Sequence, residues 1–384
     1  MQDQAAAPIT RDDRKTAAAA LANYRIKPGA THVTRFERFR EIMRSPAMRQ
    51  ANVQAGAENA VDPEMVSFFY LDGEEHRRRR ASVSHYFTPK AILERYNPVI
   101  YGTTDRLLAG LRERGSAVLD AMSFELAVAV AADIVGLTEQ DTGSLARRMR
   151  ATLDSTLTEI PNPVKRAANT LRVAFHMWNF YRKDLAPAVR VRRKAEHDDV
   201  IGYMVGNAYS TKAMIIECLT YAGAGMVTTR EFIVVCAWHL FENDALRARF
   251  LGGDEREQFA ILYEVLRLEP VAAMLYRRSV EGEDDVYALD VRAANTDEAV
   301  TGACPLAIDP DRAKRMKVEP SYMSFGDGHH RCPGAQVALH ETRVFLDALL
   351  RVPGIRLAKP PEVLWSAAIN GYELRGAVVA CDGG

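Results

Sequence analysis

From about residue 35 to residue 270, apolar side chains recur at spacings of three and four. Phe36, Phe39, Ile42 and Met43 make one such set. Phe259, Ile261, Leu262, Val265, Leu266 and Leu268 make another. That period belongs to helices with one apolar face. The most apolar stretch, around residues 213–241, is interrupted by Glu217, Arg230 and Glu231, which predicts a buried helix and not a membrane span. A further helix is predicted from Ala335 through Val337, Leu339, Phe345 and Leu346 to Leu350. Alternating patterns are short: Asp285 to Leu289 is one, and a few more lie between Ile355 and Ala380. Residues 1–30 begin polar and alanine-rich, and are expected to form a flexible N-terminal segment. Residues 31–384 are expected to form a single domain, mainly α with a small β portion.

Composition narrows the classes. The 384 residues are 48% apolar and 26% charged, enough for a large core. Fifty basic residues balance fifty acidic ones, which argues against nucleic acid as the main partner and against a strongly basic membrane-binding surface. Five cysteines, Cys218, Cys236, Cys304, Cys332 and Cys381, are scattered and form no CxxC pair. An odd, dispersed set in a long chain fits a reducing cytoplasm better than a disulfide framework.

One of these cysteines has unusual company. Phe325-Gly326-Asp327-Gly328-His329-His330-Arg331-Cys332-Pro333-Gly334 reads as a tight loop, since glycine reaches backbone angles that a side chain forbids. Pro333 suits the first turn of the helix that follows. Cys332 would then lie just ahead of a helix N-terminus, where the dipole favours thiolate over thiol. A thiolate is a good metal ligand.

This decapeptide resembles the haem-binding loop of cytochromes P450, Phe-Gly-x-Gly-x-His-x-Cys-x-Gly. Phe325, Gly326, Gly328, His330, Cys332 and Gly334 fill its fixed positions. The resemblance implies a P450-like fold, with haem b held between a long distal helix and the cysteine loop, and Cys332 as the iron ligand. It extends over roughly residues 30–380. In Asp72-Gly73-Glu74-Glu75-His76-Arg77-Arg78-Arg79-Arg80, Asp72 and Glu75 have the spacing of a capping box. His76 and Arg80 share a helix face, and by resemblance they contact the haem propionates. Four successive arginines point around the whole helix, so at most two can serve one site.

Ala224-Gly225-Met226-Val227-Thr228 places small residues in mid-helix, where a kink is expected. It is similar to the family's Ala-Gly-x-Asp/Glu-Thr on the distal side, with Val227 where the acid belongs. Thr228 would act there beside Ala224 and Gly225. Glu264 and Arg267 are similar to the family's Glu-x-x-Arg, and with Arg312 would form a buried ionic cluster bracing the cysteine loop. Ala293-Ala294-Asn295-Thr296-Asp297 resembles the family's Ala-Asn-Arg-Asp. After Glu269-Pro270 the family has a pocket-lining turn and an arginine to a propionate; Arg277 and Arg278 both fit that role. Pocket candidates are Tyr221, Ala224, Val271, Ala272, Met274, Ile369 and Asn370. The short N-terminal part leaves some of the family's first β-sheet unaccounted for, and the hairpin expected between Ser279 and Ala294 looks largely absent.

The activity implied is insertion of one oxygen atom from O2 into a lipophilic small molecule. Electrons would come from a separate partner, a ferredoxin with its reductase. Two other readings stay open: a peroxide-driven or oxidative coupling or rearrangement enzyme, motivated by Val227, and a non-catalytic haem-binding protein.

Overall fold

The computed structural model describes residues 11–51, 66–157, 163–282, 285–366 and 369–382. Helices dominate, and three small sheets lie at the edges. The strands are β1 (Thr31–Val33), β2 (Met48–Gln50), β3 (Ser116–Val118), β4 (Met274–Ser279), β5 (Val286–Asp290), β6 (Arg356–Lys359), β7 (Glu362–Ser366), β8 (Gly371–Arg375) and β9 (Val378–Ala380). They join in the orders β1-β5-β4-β2, β3-β9-β6 and β7-β8.

Two expectations change here. A hairpin does follow Arg277 and Arg278: β4 and β5 pair antiparallel from Met274 opposite Asp290 to Arg278 opposite Val286. Its strands lack the usual Gly and Pro signature, and apolar residues hold both of its faces: Met274, Tyr276 and Ala288 pack together on one, while Leu275, Tyr287 and Leu289 join the smaller core on the other. The first sheet is also present, because β1 adds parallel to β5 and β2 adds antiparallel to β4.

The helix at the centre runs through Thr211–Tyr221, a π-helical stretch Ala222–Val227, and Thr228–Glu242. The π stretch is Ala-Gly-Ala-Gly-Met-Val, the segment whose small residues predicted a kink. Small side chains cannot shield a loosened backbone ladder, and π-bulges are common at functional sites. Ile233, Val234, Val235 and Cys236 of this helix are fully buried. They belong to a core that also takes in Leu126 and Val128 of the helix Leu119–Val135 and Phe345 of the C-terminal helix Ala335–Leu350. A smaller core joins Phe36, Phe39 and Ile42 to Leu289 and Met323.

Residues 11–30 of the N-terminal segment lie against the rest of the protein. The Thr16 hydroxyl donates to the buried Glu269 carboxylate (2.5 Å), and the Tyr24 ring meets Trp365 edge-on. Residues 1–10 of that segment fall outside the described residues.

Candidate active site

The cysteine loop is pinned from two sides. Glu264 receives a two-pronged grip from Arg267 (2.7 and 2.8 Å) and a further bond from Arg312 Nε (3.1 Å). All three are buried. Their remaining donors reach carbonyls: Arg267 to Asn295 and Pro305, Arg312 to Thr301 and Cys304. Buried charges persist only when paired and hydrogen-bonded in this way. Asn295 then hands the position on. Its Oδ1 accepts from the Met323 amide (2.9 Å) and its Nδ2 donates to Ser324 Oγ (2.8 Å). From the other side, Arg44 donates to Asp327 (2.8 Å). Gly328 has φ +63°, and a Cβ there would sit 2.5 Å from the Met43 carbonyl oxygen. Only glycine allows that approach.

Cys332 closes the loop, its amide donating to the Phe325 carbonyl (2.8 Å). Pro333 stands outside the helix, which begins at Ala335 with Gly334 as its cap. Burial pushes the Cys332 thiol up from its ordinary value. The amides of Gly334 and Ala335, with Arg80 and Arg331, pull it the other way without prevailing. The dipole effect expected from the sequence is thus present but outweighed in the protein alone. The side chain is exposed and lines a cavity.

That cavity is about 320 Å³ and mainly apolar. Cys332, Phe325, Gly326, Gly334 and His330 line it on one side, and Ala224, Gly225 and Thr228 line it from the π-bulged helix. His76, Arg80 and Arg277 also reach it, as do Val271 and Ala272. Arg278 is the next residue on β4 and does not line it, because side chains alternate along a strand. Tyr221, Met274, Ile369 and Asn370 do not line it either. Tyr221 packs its ring on Phe69 and Phe87. Met274 takes a contact from the Tyr24 hydroxyl, and Ile369 packs on the main core.

Asn370 belongs to a second, larger cavity of about 730 Å³, also lined by Val227, Arg150, Arg230, Glu373 and Arg375. It is the more polar of the two and contains no cysteine. Val227 is buried and turned to this cavity, away from Cys332. One turn on, Glu231 is fully buried and its carboxyl is pushed up to about 7 by burial, against the pull of Arg230 and the Leu374 amide.

The cationic side of the Cys332 cavity is built from separate elements. In the helix Gly73–Val83, His76 and Arg80 face the cavity, Arg78 pairs outward with Glu75, and Arg79 turns inward to Glu217. Asp72 does not cap this helix with its side chain. Its carboxylate instead accepts from the Gln50 amide (2.9 Å) and from His330 Nε2 (2.9 Å). Burial holds His330 below its ordinary pKa, so at neutral pH the ring donates from Nε2 while Nδ1 faces Gln50 Nε2 at 3.2 Å. His76 is pushed down to about 4 by burial, with His330 and Arg80 adding to the effect. Its buried Nε2 has no hydrogen-bond partner among the described residues. Burial pushes Arg277 down to about 10, with Asp72 pulling it back. Neither Arg80 nor Arg277 has an ion-pair partner within 4 Å among the described residues. Gln50 and the role of Asp72 escaped the sequence reading; β2 brings Gln50 in through pairing with β4, which no local pattern announces.

Three donors without anionic partners, one thiol and a wall of small residues fit a flat, metal-bearing ligand that carries carboxylates. Among the described residues no cluster of three His, Cys, Asp or Glu could hold a bare metal ion.

No protein-family model matches the chain. Nocardicin C N-oxygenase of Nocardia uniformis subsp. tsuyamanensis is 26% identical over 349 residues, 86% of this chain and 84% of that protein. Mycinamicin IV hydroxylase/epoxidase of Micromonospora griseorubida is 26% identical over 362 residues, 90% of this chain and 87% of that one. The biotin biosynthesis cytochrome P450 of Bacillus subtilis is 26% identical over 298 residues, covering 74% and 72%. Among solved structures, CalO2 superposes with a TM-score of 0.76 at 23% identity, covering 92% of this chain and 91% of that one. P450BioI, solved with hexadec-9Z-enoic acid ligated acyl carrier protein, gives 0.74 at 21% identity, covering 96% and 97%.

Proposed function

Because the chain is a cytochrome P450, an oxidoreductase with haem b as cofactor, we propose that it inserts one oxygen atom from O2 into a lipophilic small molecule. The observation carrying this reading is that Cys332 opens onto the same cavity as Thr228 and the donors His76, Arg80 and Arg277. Bound there, haem would supply dioxygen activation, which a thiolate ligand favours. The chain does the rest. Cys332 would ligate the iron, and His76, Arg80 and Arg277 would hold the propionates. Phe69, Leu275, Val271 and Ala272 make an apolar wall that keeps water from the substrate. Thr228 donates its own hydroxyl proton to the Ala224 carbonyl at 2.5 Å. Its oxygen is then oriented to accept, which suits it to hold a water or a substrate hydroxyl in line.

The relatives include an N-oxygenase and a hydroxylase/epoxidase, so oxygenation at nitrogen and at carbon both fall within the proposal. Electrons come from a separate ferredoxin and its reductase. No helix among the described residues is long and apolar enough to cross a membrane, and the five cysteines are unpaired; both support a cytoplasmic site of action.

A second reading has its own support. Among the described residues lining the Cys332 cavity there is no Asp or Glu. An enzyme driven by peroxide needs less proton delivery, because its oxidant already carries the two electrons and two protons that O2 must receive. Turnover of the holoenzyme with O2, ferredoxin and reductase, compared with peroxide alone, separates the two. Product formed only with peroxide would overturn the monooxygenase reading.

A further inference from the structure

The helix Pro163–Phe180 continues through a π-helical stretch, Tyr181–Leu185, into Ala186–Arg192. Its polarity is inverted. Leu171, Phe175, Trp178 and Tyr181 are 75%, 58%, 53% and 39% exposed. The first three recur at spacings of four and three, which puts them on one face. Phe180 is buried and His176 half-buried on the opposite side, so the apolar stripe is the outermost surface and not a misplaced core face. Single exposed apolar residues need no explanation, but a contiguous stripe does.

The flanks are one-signed. Arg172, Arg182, Lys183, Arg190, Arg193 and Lys194 are exposed. The one acid between residues 171 and 194, Asp184, is buried against Arg148 at 2.5 Å. Arg182 lies over the Trp178 ring at 5.0 Å. The balanced charge of the whole chain hides this local segregation.

We propose that this helix is a docking ridge for an anionic lipid bilayer, lying in the interface without crossing it. Bulky apolar and aromatic side chains on one face with Arg and Lys beside them are the chemistry of interfacial helices, and Trp favours the headgroup level. A second copy of the chain is a poor occupant, because face-to-face contact would bring Arg172, Arg182 and Lys183 of both copies together. The ridge is a single convex helix without a groove, which suits a fluid surface better than a folded acidic partner. The inference does not depend on the reaction proposed above.

The test is sedimentation of the full-length holoenzyme with phosphatidylcholine vesicles, with and without phosphatidylglycerol. Binding should appear with the anionic vesicles, fall about tenfold or more without phosphatidylglycerol, and be released by salt. The variant Leu171→Ser/Phe175→Ser/Trp178→Ser should lose binding by about a hundredfold. Its circular dichroism and melting should be unchanged, since these side chains lie outside the core. Brominated lipid should quench tryptophan emission, and Trp178→Phe should remove the quenching while sedimentation persists. No sedimentation with anionic vesicles, or quenching that survives Trp178→Phe, would overturn the proposal. So would a solution dimer that the triple variant dissociates.

Discussion

Asp72 Oδ1 and His330 Nε2 stand 2.9 Å apart, joining the helix of His76 and Arg80 to the loop of Cys332 across 258 residues of chain. The bond holds two parts of the proposed cofactor site in register. Burial raises the Asp72 carboxyl, but His330, the Gln50 amide and Arg277 more than offset it and leave it below the ordinary range. A depressed carboxylate contributes stability above its unfolded pKa, and that contribution fades as pH falls through the folded value. Asp72→Asn should therefore cost about 1–2 kcal/mol at neutral pH and flatten the acid limb of the stability curve. Denaturant melts at several pH values check this; a variant with the parental acid limb would remove Asp72 from that role.

Cys332→His should fold, because a cavity receives the larger side chain. It should lose the long-wavelength Soret band that thiolate-ligated haem shows with carbon monoxide in the reduced state. If the band persists in Cys332→His, another residue is the ligand.

Arg277 and Arg278 are neighbours on β4 with different surroundings. Arg277→Met should weaken haem retention by about 1.5–3 kcal/mol, the usual worth of a hydrogen bond to a charged group. Arg278→Met should leave retention near wild type. Transfer of haem to a competing apoprotein measures both. Equal losses in the two variants would show that the arginines act through the strand and not through the ligand.

Thr228→Ala should raise the hydrogen peroxide released per reductant consumed and lower product yield, because the acceptor oxygen beside Ala224 is gone. Val227→Asp should not restore coupling, since that side chain turns toward the second cavity. Coupling efficiency is the readout. Rescue by Val227→Asp would mean that the π-bulged helix rotates during turnover.

Glu341 is fully buried, its Oε2 has no hydrogen-bond partner among the described residues, and burial alone pushes its carboxyl up to about 8. Between its unfolded value and about 8, the unfolded chain is ionised at this position and the folded chain is not. The unfolded state then binds fewer protons, so stability falls as pH rises through that window. At pH 7 the penalty is on the order of 3 kcal/mol. Glu341→Gln should remove most of it, seen as a larger gain in denaturant midpoint at about pH 8 than at about pH 5. A gain independent of pH would show that packing, and not protonation, is responsible.

Much of this site was legible in the chain because its strongest signals are local. Gly326 and Gly328 must take positive φ, 67° and 63°, and positive φ is written in the residue itself. His76 and Arg80 share a face because four residues are about one helical turn. Glu264 and Arg267 sit three apart for the same reason, and Arg312 Nε donates to Glu264 from a distant segment.

Other features belong to the tertiary structure, because they depend on which strands and loops become neighbours. The β4–β5 hairpin formed although its strands carry little alternation of polar and apolar residues; Gly282 and Asp285 turn the chain between them. Arg277 took the cavity and Arg278 did not, a choice made by strand pairing with β2 and β5. Asp72 gave up the helix cap for Gln50 and His330, since an imidazole and an amide from distant segments together outcompete one exposed helix amide. The thiol of Cys332 was raised and not lowered, because desolvation is a sum over all surrounding atoms, which the sequence order does not enumerate. Spacing along the chain determined which residues could act together on one helix or in one loop. Only the packing of separate segments decided which of them share a cavity, and how far burial shifts their charge.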